Sequence, residues 1–287
     1  MISAASSAAS EERAHRIGVR TVVCAVGDLE CAARPTVVAR QLSERLGDEL
    51  VLVHAVPPLP VVYTHQAYSH AVLPEDRRRL VRAAEATLDD VARGCGVDAA
   101  RRVAVVGVLS TAVLDVVDEE RAELVVVGSR RRGLFTRAVL GSSGAEIADG
   151  TDVPVLVVPS SGPLRPLEPI AQIVCGVDAG QPARRAASVA WGLSRRLGAE
   201  LLLVTAAGSR ADGLRLIEAL IEDEGLPPDT ARHVRRGHAA PALELAAADV
   251  DAALIVVGRR GGVVRDLLRC SVSATLKARA RRPVVLA

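Results

Sequence analysis

The chain has 287 residues, 49% of them hydrophobic but only 1% aromatic, so its core must be assembled from Val, Leu, Ile and Ala. A formal charge of +2 is too balanced to point to nucleic acid or a membrane surface as a partner. The five cysteines (Cys24, Cys31, Cys95, Cys175, Cys270) are odd in number and lack C-x-x-C spacing, so neither a disulfide framework nor a zinc site is indicated and a reducing cytoplasm is the default location.

In chain order, residues 1–16 are small, polar and mixed in charge, and are expected to form a disordered tail rather than a secretion signal. β-Branched runs then predict strands near 20–26, 49–55, 102–106, 123–127 and 154–158. Apolar residues at three-to-four spacing predict amphipathic crossover helices over 34–46 and 75–93. The Pro/Gly/Ser-rich stretch SSGPLRPLEP reads as a linker over 160–169. Beyond it, strands are predicted near 171–177, 200–205, 232–235, 253–257 and 283–286, with a crossover helix over 182–197. No apolar run approaches the ~18 residues a membrane span requires. The expected organisation is a domain over 17–159, the linker, and a second domain over 170–287.

The two series of elements are copies of one another. RLGDELVLV from Arg45 returns as RLGAELLLV from Arg196, and VVCAV from Val22 returns as IVCGV from Ile173, both at an offset of 151. AELVVVGSRR from Ala122 returns as AALIVVGRRG from Ala252, and Gly107 as Gly237, at an offset of 130. The difference between 151 and 130 means that the second copy has lost 21 residues between its second and third strands, where the first carries an extra segment from Pro57 to about Val81. Strands alternating with helices imply βαβ units. The fold class expected is therefore α/β: two tandem doubly wound, Rossmann-like domains, each a five-stranded parallel sheet with helices on both faces. An uncovered last strand would leave unpaired backbone groups, so Val155–Val158 and Val284–Leu286 are expected to pair across a pseudo-two-fold axis, making an intramolecular pseudo-dimer.

In such a sheet, ligands bind beyond the carboxyl ends of the strands where the strand order reverses. After the fourth strand of the first copy, Val127 and Gly128 lead into a turn and a basic loop containing Arg130 and Gly133, then Gly141-Ser142-Ser143 opens a helix. Glycine lets backbone approach a phosphate, and a helix N-terminus offers unpaired N–H groups. The other reading is plain capping, with Ser143 and Glu146 as a capping box. Gly128, Gly141 and Ser142 fit the spacing G-x-x-G-x9-G-[ST]. On that junction and the repeated strand pattern, the chain from about residue 17 onward resembles the universal stress protein family, whose ATP-binding members carry this motif. The resemblance implies a fold of the adenine nucleotide alpha hydrolase type, and ATP or a related adenine nucleotide as ligand, with Mg2+ or Mn2+ on its phosphates.

The family's second motif glycine is replaced by Arg131, so either the loop changes shape or Gly133 takes over the turn. The family's aspartate after the first strand is kept in the second copy as Asp178, which reads equally as a helix cap, while the first copy has Gly27 with Asp28 one position on. In the second copy Gly258 and Gly261 match the motif, but the loop ends in Cys270-Ser271 instead of Gly-Ser. The resemblance thus implies binding mainly in the first copy.

The arginine runs at 130–132, 259–260 and 279–282 read as solvated surface. His65 and His70 fall in the segment the second copy lacks and read as part of a lid or interface loop rather than a metal site. No acid–base pair, activated nucleophile or Walker lysine stands at these junctions, so the chain reads as a regulator that is not an enzyme, with at most slow ATP hydrolysis. An unknown protein partner is implied, and a further homodimer is left open. The competing reading is an interaction scaffold whose nucleotide sites have decayed, as Arg131, Gly27 and Cys270 suggest.

Overall fold

The computed structural model describes residues 20–27, 29–57, 74–131, 138–140, 142–160, 171–259 and 282–287. The first half consists of β1 (Thr21–Val26), α1 (Leu29–Leu46), β2 (Glu49–Val56), α2 (Pro74–Cys95), β3 (Arg101–Val106), α3 (Leu109–Glu120), β4 (Leu124–Arg131), β5 (Ala138–Leu140), α4 (Ser142–Gly150) and β6 (Val155–Val158). The second half repeats the plan with β7 (Gln172–Gly176), α5 (Gln181–Leu197), β8 (Glu200–Ala206), α6 (Arg210–Asp223), β9 (Ala231–Arg235), α7 (Ala239–Asp249), β10 (Leu254–Val257) and β11 (Val284–Leu286).

All of the strands except β5 lie along one path, β3-β2-β1-β4-β6-β11-β10-β7-β8-β9. Within each half the pairings on this path are parallel. The halves meet through the antiparallel pair β6 and β11, with Val157 opposite Val284, Leu156 opposite Val285 and Val155 opposite Leu286. The expected join is therefore present, and it removes the edge that each last strand would otherwise expose. Because the join is antiparallel, the carboxyl ends of the strands on its two sides face opposite ways.

Strand residues alternate between two cores, as a pleat with period two requires. Val22, Cys24 and Val26 face α1 and α2, while Val23 and Ala25 face α3 and α4. Each core runs on through the join: the first continues through Leu156 and Val285 to the residues of α5 and α6, the second through Val155 and Leu286 to those of α7. Cys24 and Cys175 are buried in the first core as small apolar groups, and burial pushes the Cys24 thiol up to about 12 and the Cys175 thiol up as well.

The repeat extends to backbone conformation. Gly47 and Gly198, each just past a first crossover helix, have φ of +69° and +65°. Arg121 and Asp251, past α3 and α7, have φ of +49° and +47° although neither is glycine. Such values are uncommon for side-chain-bearing residues, so their recurrence at an offset of 130 reflects one inherited turn. The length difference is only partly a loop. α6 has 14 residues where α2 has 22, so two helical turns went with the loop, and the loss was not confined to a connection. His65 and His70 lie outside the described residues.

A polar contact fastens the halves beside the join. Arg196, in the last turn of α5, donates to Asp48 Oδ1 (2.6 Å), Glu123 Oε2 (3.0 Å) and the Leu46 carbonyl ending α1 (3.1 Å). The Asp48 side chain is 3% exposed and that of Arg196 24%, so removing the guanidinium strands a buried carboxylate. Arg196→Met is expected to cost roughly 2–3 kcal/mol, below the usual 3–5 for a fully buried pair because Arg196 still touches water. Urea denaturation of the variant and of the double variant with Asp48→Asn measures this, and the double variant should recover much of the loss.

Candidate functional site

In the first half the strand order reverses between β1 and β4, which pair from Val22 opposite Leu124 to Cys24 opposite Val126, and then run on to Gly27 and Gly128. The second half reverses between β7 and β10, ending at Val177 and Gly258. Those two places are where an open parallel sheet forms its crevice.

Around the first crevice, Val127 is buried with its side chain in the core, so only its backbone can face a ligand. The turn expected at Gly128 is not there. β4 continues to Arg131 and folds back onto β5, with Ser129 opposite Leu140, Arg130 opposite Val139 and Arg131 opposite Ala138. The missing second glycine thus causes no strain, because Arg131 sits in extended backbone. Arg130 therefore belongs to a strand of a hairpin rather than to a loop. Gly133 and Gly141 lie outside the described residues.

α4 begins at Ser142, which is exposed, followed by the half-buried Ser143 and buried Gly144. A capping box is excluded. Ser143 already lies inside the helix, and Glu146 Oε2 instead accepts a hydrogen bond at 2.5 Å from the hydroxyl of Ser110, in the first turn of α3. The carboxylate is therefore held across to α3, and the first turn of α4 carries no acidic residue. The end of the helix that attracts anions is left without a competing charge from its own sequence.

His54, near the end of β2, was not singled out by its sequence context. Its Nδ1 is 2.8 Å from the carbonyl of Val26, the last residue of β1, so it lies beside the same edge. Only the cross-strand register, Val26 opposite His54, reveals this.

At the second crevice, Asp178 is exposed and its Oδ1 accepts the Gly180 N–H at 2.8 Å. The N-cap of α5 is Gly180, so Asp178 stands two residues before the helix and closes a turn onto its N-cap. Gly258 packs tightly on the start of α5: a Cβ there would lie 2.3 Å from the Pro182 carbonyl oxygen. Gly261 and Ser271 lie outside the described residues.

Two arginines expected at the solvated surface prove to be structural. Arg282 Nε donates to the Ala252 carbonyl (2.6 Å) and its Nη2 pairs with Asp251 (3.0 Å), while Arg259 is half-buried and donates across the join to the Ala148 carbonyl of α4. A guanidinium carries five donors, so a backbone carbonyl within reach holds it as firmly as water does. Among the described residues, no group of three or more His, Cys, Asp or Glu is placed to hold a metal ion, and no helix is long and apolar enough to cross a membrane.

The architecture is that of a tandem α/β protein with one switch-point crevice in each half. The model of the Universal stress protein family matches residues 18–159 and 207–287, and the chain belongs to that family. A universal stress protein of Mycobacterium tuberculosis is 30% identical over 264 residues, covering 83% of this chain and 86% of the relative. Among solved structures, a universal stress protein from Archaeoglobus fulgidus aligns with a TM-score of 0.70 at 18% identity, covering 93% of this chain and 97% of that one. One from Pseudomonas aeruginosa aligns with a TM-score of 0.59 at 15% identity, covering 94% and 93%. Both likenesses concern the fold.

Proposed function

We propose that the chain binds ATP or a related adenine nucleotide in the crevice of its first half and that occupancy regulates a protein partner in the cytoplasm. The observation that carries this reading is the first turn of α4: Ser142 is exposed and the turn holds no acidic residue, Glu146 standing just past it and tied to Ser110. N–H groups and hydroxyls there suit a phosphate chain. A bound Mg2+ or Mn2+ would neutralise phosphate charge, and the nucleotide itself would supply most of its ligands. Gly128, Gly141, Ser142 and Ser143 are the residues we assign to the phosphates, with Gly27 and His54 beside the crevice. Asp178 is the corresponding group of the second half. We take 17–159 and 170–287 as the two domains. Among the described residues near the crevice no acid and base are paired, and regulation rather than turnover is the activity we assign.

The experiment is calorimetry of the purified chain with ATP and Mg2+, beside mass spectrometry of any ligand that co-purifies. Gly141→Trp is expected to reduce the affinity at least about 100-fold, as steric filling of a backbone–phosphate approach should. Unchanged affinity in a folded variant overturns the assignment.

One observation favours a second reading, the interaction scaffold. The β4–β5 hairpin commits backbone groups of residues 129–131 to a ladder at the place where a glycine turn would cradle phosphates. Wild-type protein that neither carries nor binds nucleotide would select this alternative.

A further inference from the structure

We propose that Arg259 is a positioning residue through which the second half holds the helix that faces the ligand of the first. The ligand consequence rests on the nucleotide reading above, whereas the hold on the helix does not. Arg259 follows Gly258 directly, at the carboxyl end of β10, and its backbone N–H is fixed to the Ala287 carbonyl at 2.8 Å. From there its guanidinium crosses the join to the Ala148 carbonyl, close to the C-terminal end of α4.

α4 depends on such a partner. It has nine residues and no basic residue in its last turn, so its own sequence leaves the negative end of its dipole unopposed. Helices this short are not stable on local interactions alone. Arg259 supplies the missing cation from the other half. Around it stand Asp149 and Asp152, which favour its charge, and Arg185, which opposes it. Arg185 is itself tied to Asp152, through the carboxylate at 3.4 Å and through the backbone carbonyl. Burial lowers the Arg259 pKa, but a guanidinium stays protonated regardless.

Position 259 differs in kind from its counterpart. At the matching position of the first half, 130 residues earlier, stands Ser129, which is buried and accepts the Ser160 N–H at 2.9 Å. A serine cannot reach across, so the first half sends no equivalent group from this position. At this position the join is asymmetric, and the carboxyl end of β10 is mechanically linked to the ligand-facing helix of the first half. By linkage, whatever displaces Arg259 weakens anion binding at Ser142, and binding there favours the docked arginine.

The test compares the full wild-type chain with Arg259→Gln and Arg259→Lys by amide hydrogen exchange and by ATP calorimetry. In Arg259→Gln the amides of residues 142–150 should exchange about 5-fold faster, while β7 and β8 keep their protection. Affinity for ATP should fall by about the same factor, and Arg259→Lys, which keeps the charge, should restore most of both. Unchanged exchange in α4, or faster exchange spread evenly over both halves, overturns the proposal. Equal ATP affinity in a variant whose α4 has loosened overturns the link to the ligand. If wild-type protein binds no ATP yet α4 responds to Arg259→Gln, the nucleotide reading fails and the positioning role stands. Should Arg259→Gln not fold, Arg259→Met, which removes the charge but keeps the length of the side chain, carries the same exchange test, and unchanged exchange in α4 overturns the proposal there too.

Discussion

Val285→Asp is expected to unfold both halves together, at a cost of more than about 4 kcal/mol. Val285 is 1% exposed and lies opposite Leu156, itself fully buried, in the central register position of the join. A carboxylate there has no partner and no water. The core it would enter is shared: Leu156 and Val285 belong to one hydrophobic cluster with β1 and α1 on one side and β7 and α5 on the other. Two domains that merely touched would lose the second and keep the first, giving a two-step urea curve. Because each face of the sheet carries one core across the join, a single transition is expected in the wild type, and loss of folded signal from the whole chain in the variant. Val285→Ile, which adds one methylene and no charge, should cost about 1–3 kcal/mol and leave both halves folded. A stable first half surviving in Val285→Asp would show that the cores are separable.

The architecture could be read from the sequence because it rests on repetition and short periodicity. β-Branched runs placed all ten strands of the main sheet, two shared offsets showed the halves to be copies, and the pairing of Val155–Val158 with Val284–Leu286 followed from the need to cover a strand edge. Such signals are local in sequence. The misread parts are not. β5 is a three-residue strand, Ala138–Leu140, too short to carry alternation, and the motif spacing pulled the reading toward a turn at Gly128.

Side-chain reach was the least legible property. Arg196, Arg259 and Arg282 look in sequence like any arginine in a basic run, yet each ends on a backbone carbonyl that chain folding brings near. Glu146 is the same case in reverse. Its spacing from Ser143 fits a capping box, but Ser110, 36 residues away, provides the nearer donor. Long polar side chains choose partners by tertiary proximity, and one sequence without its fold does not display that.

Gly258→Ala is the second large effect, expected to cost about 3 kcal/mol or more. The added Cβ would lie 2.3 Å from the Pro182 carbonyl oxygen and 2.4 Å from its carbon, which are backbone atoms. They cannot move aside cheaply, because α5 is anchored immediately afterwards by Ala183, Ala186, Ala187 and Ala190, all buried against the sheet. Gly176→Ala provides the contrast: its Cβ would meet Leu243 Cδ1 at 2.6 Å, the far end of a side chain that can change rotamer, so about 1 kcal/mol is expected. Chemical denaturation of the two variants measures the difference. Gly258 occupies a position that motif spacing alone would assign to phosphate, but this contact requires glycine there with or without a ligand. Glycine at position 258 is therefore no sign of a ligand, and the nucleotide reading rests on α4 of the first half. If Gly258→Ala proves as mild as Gly176→Ala, the packing explanation fails.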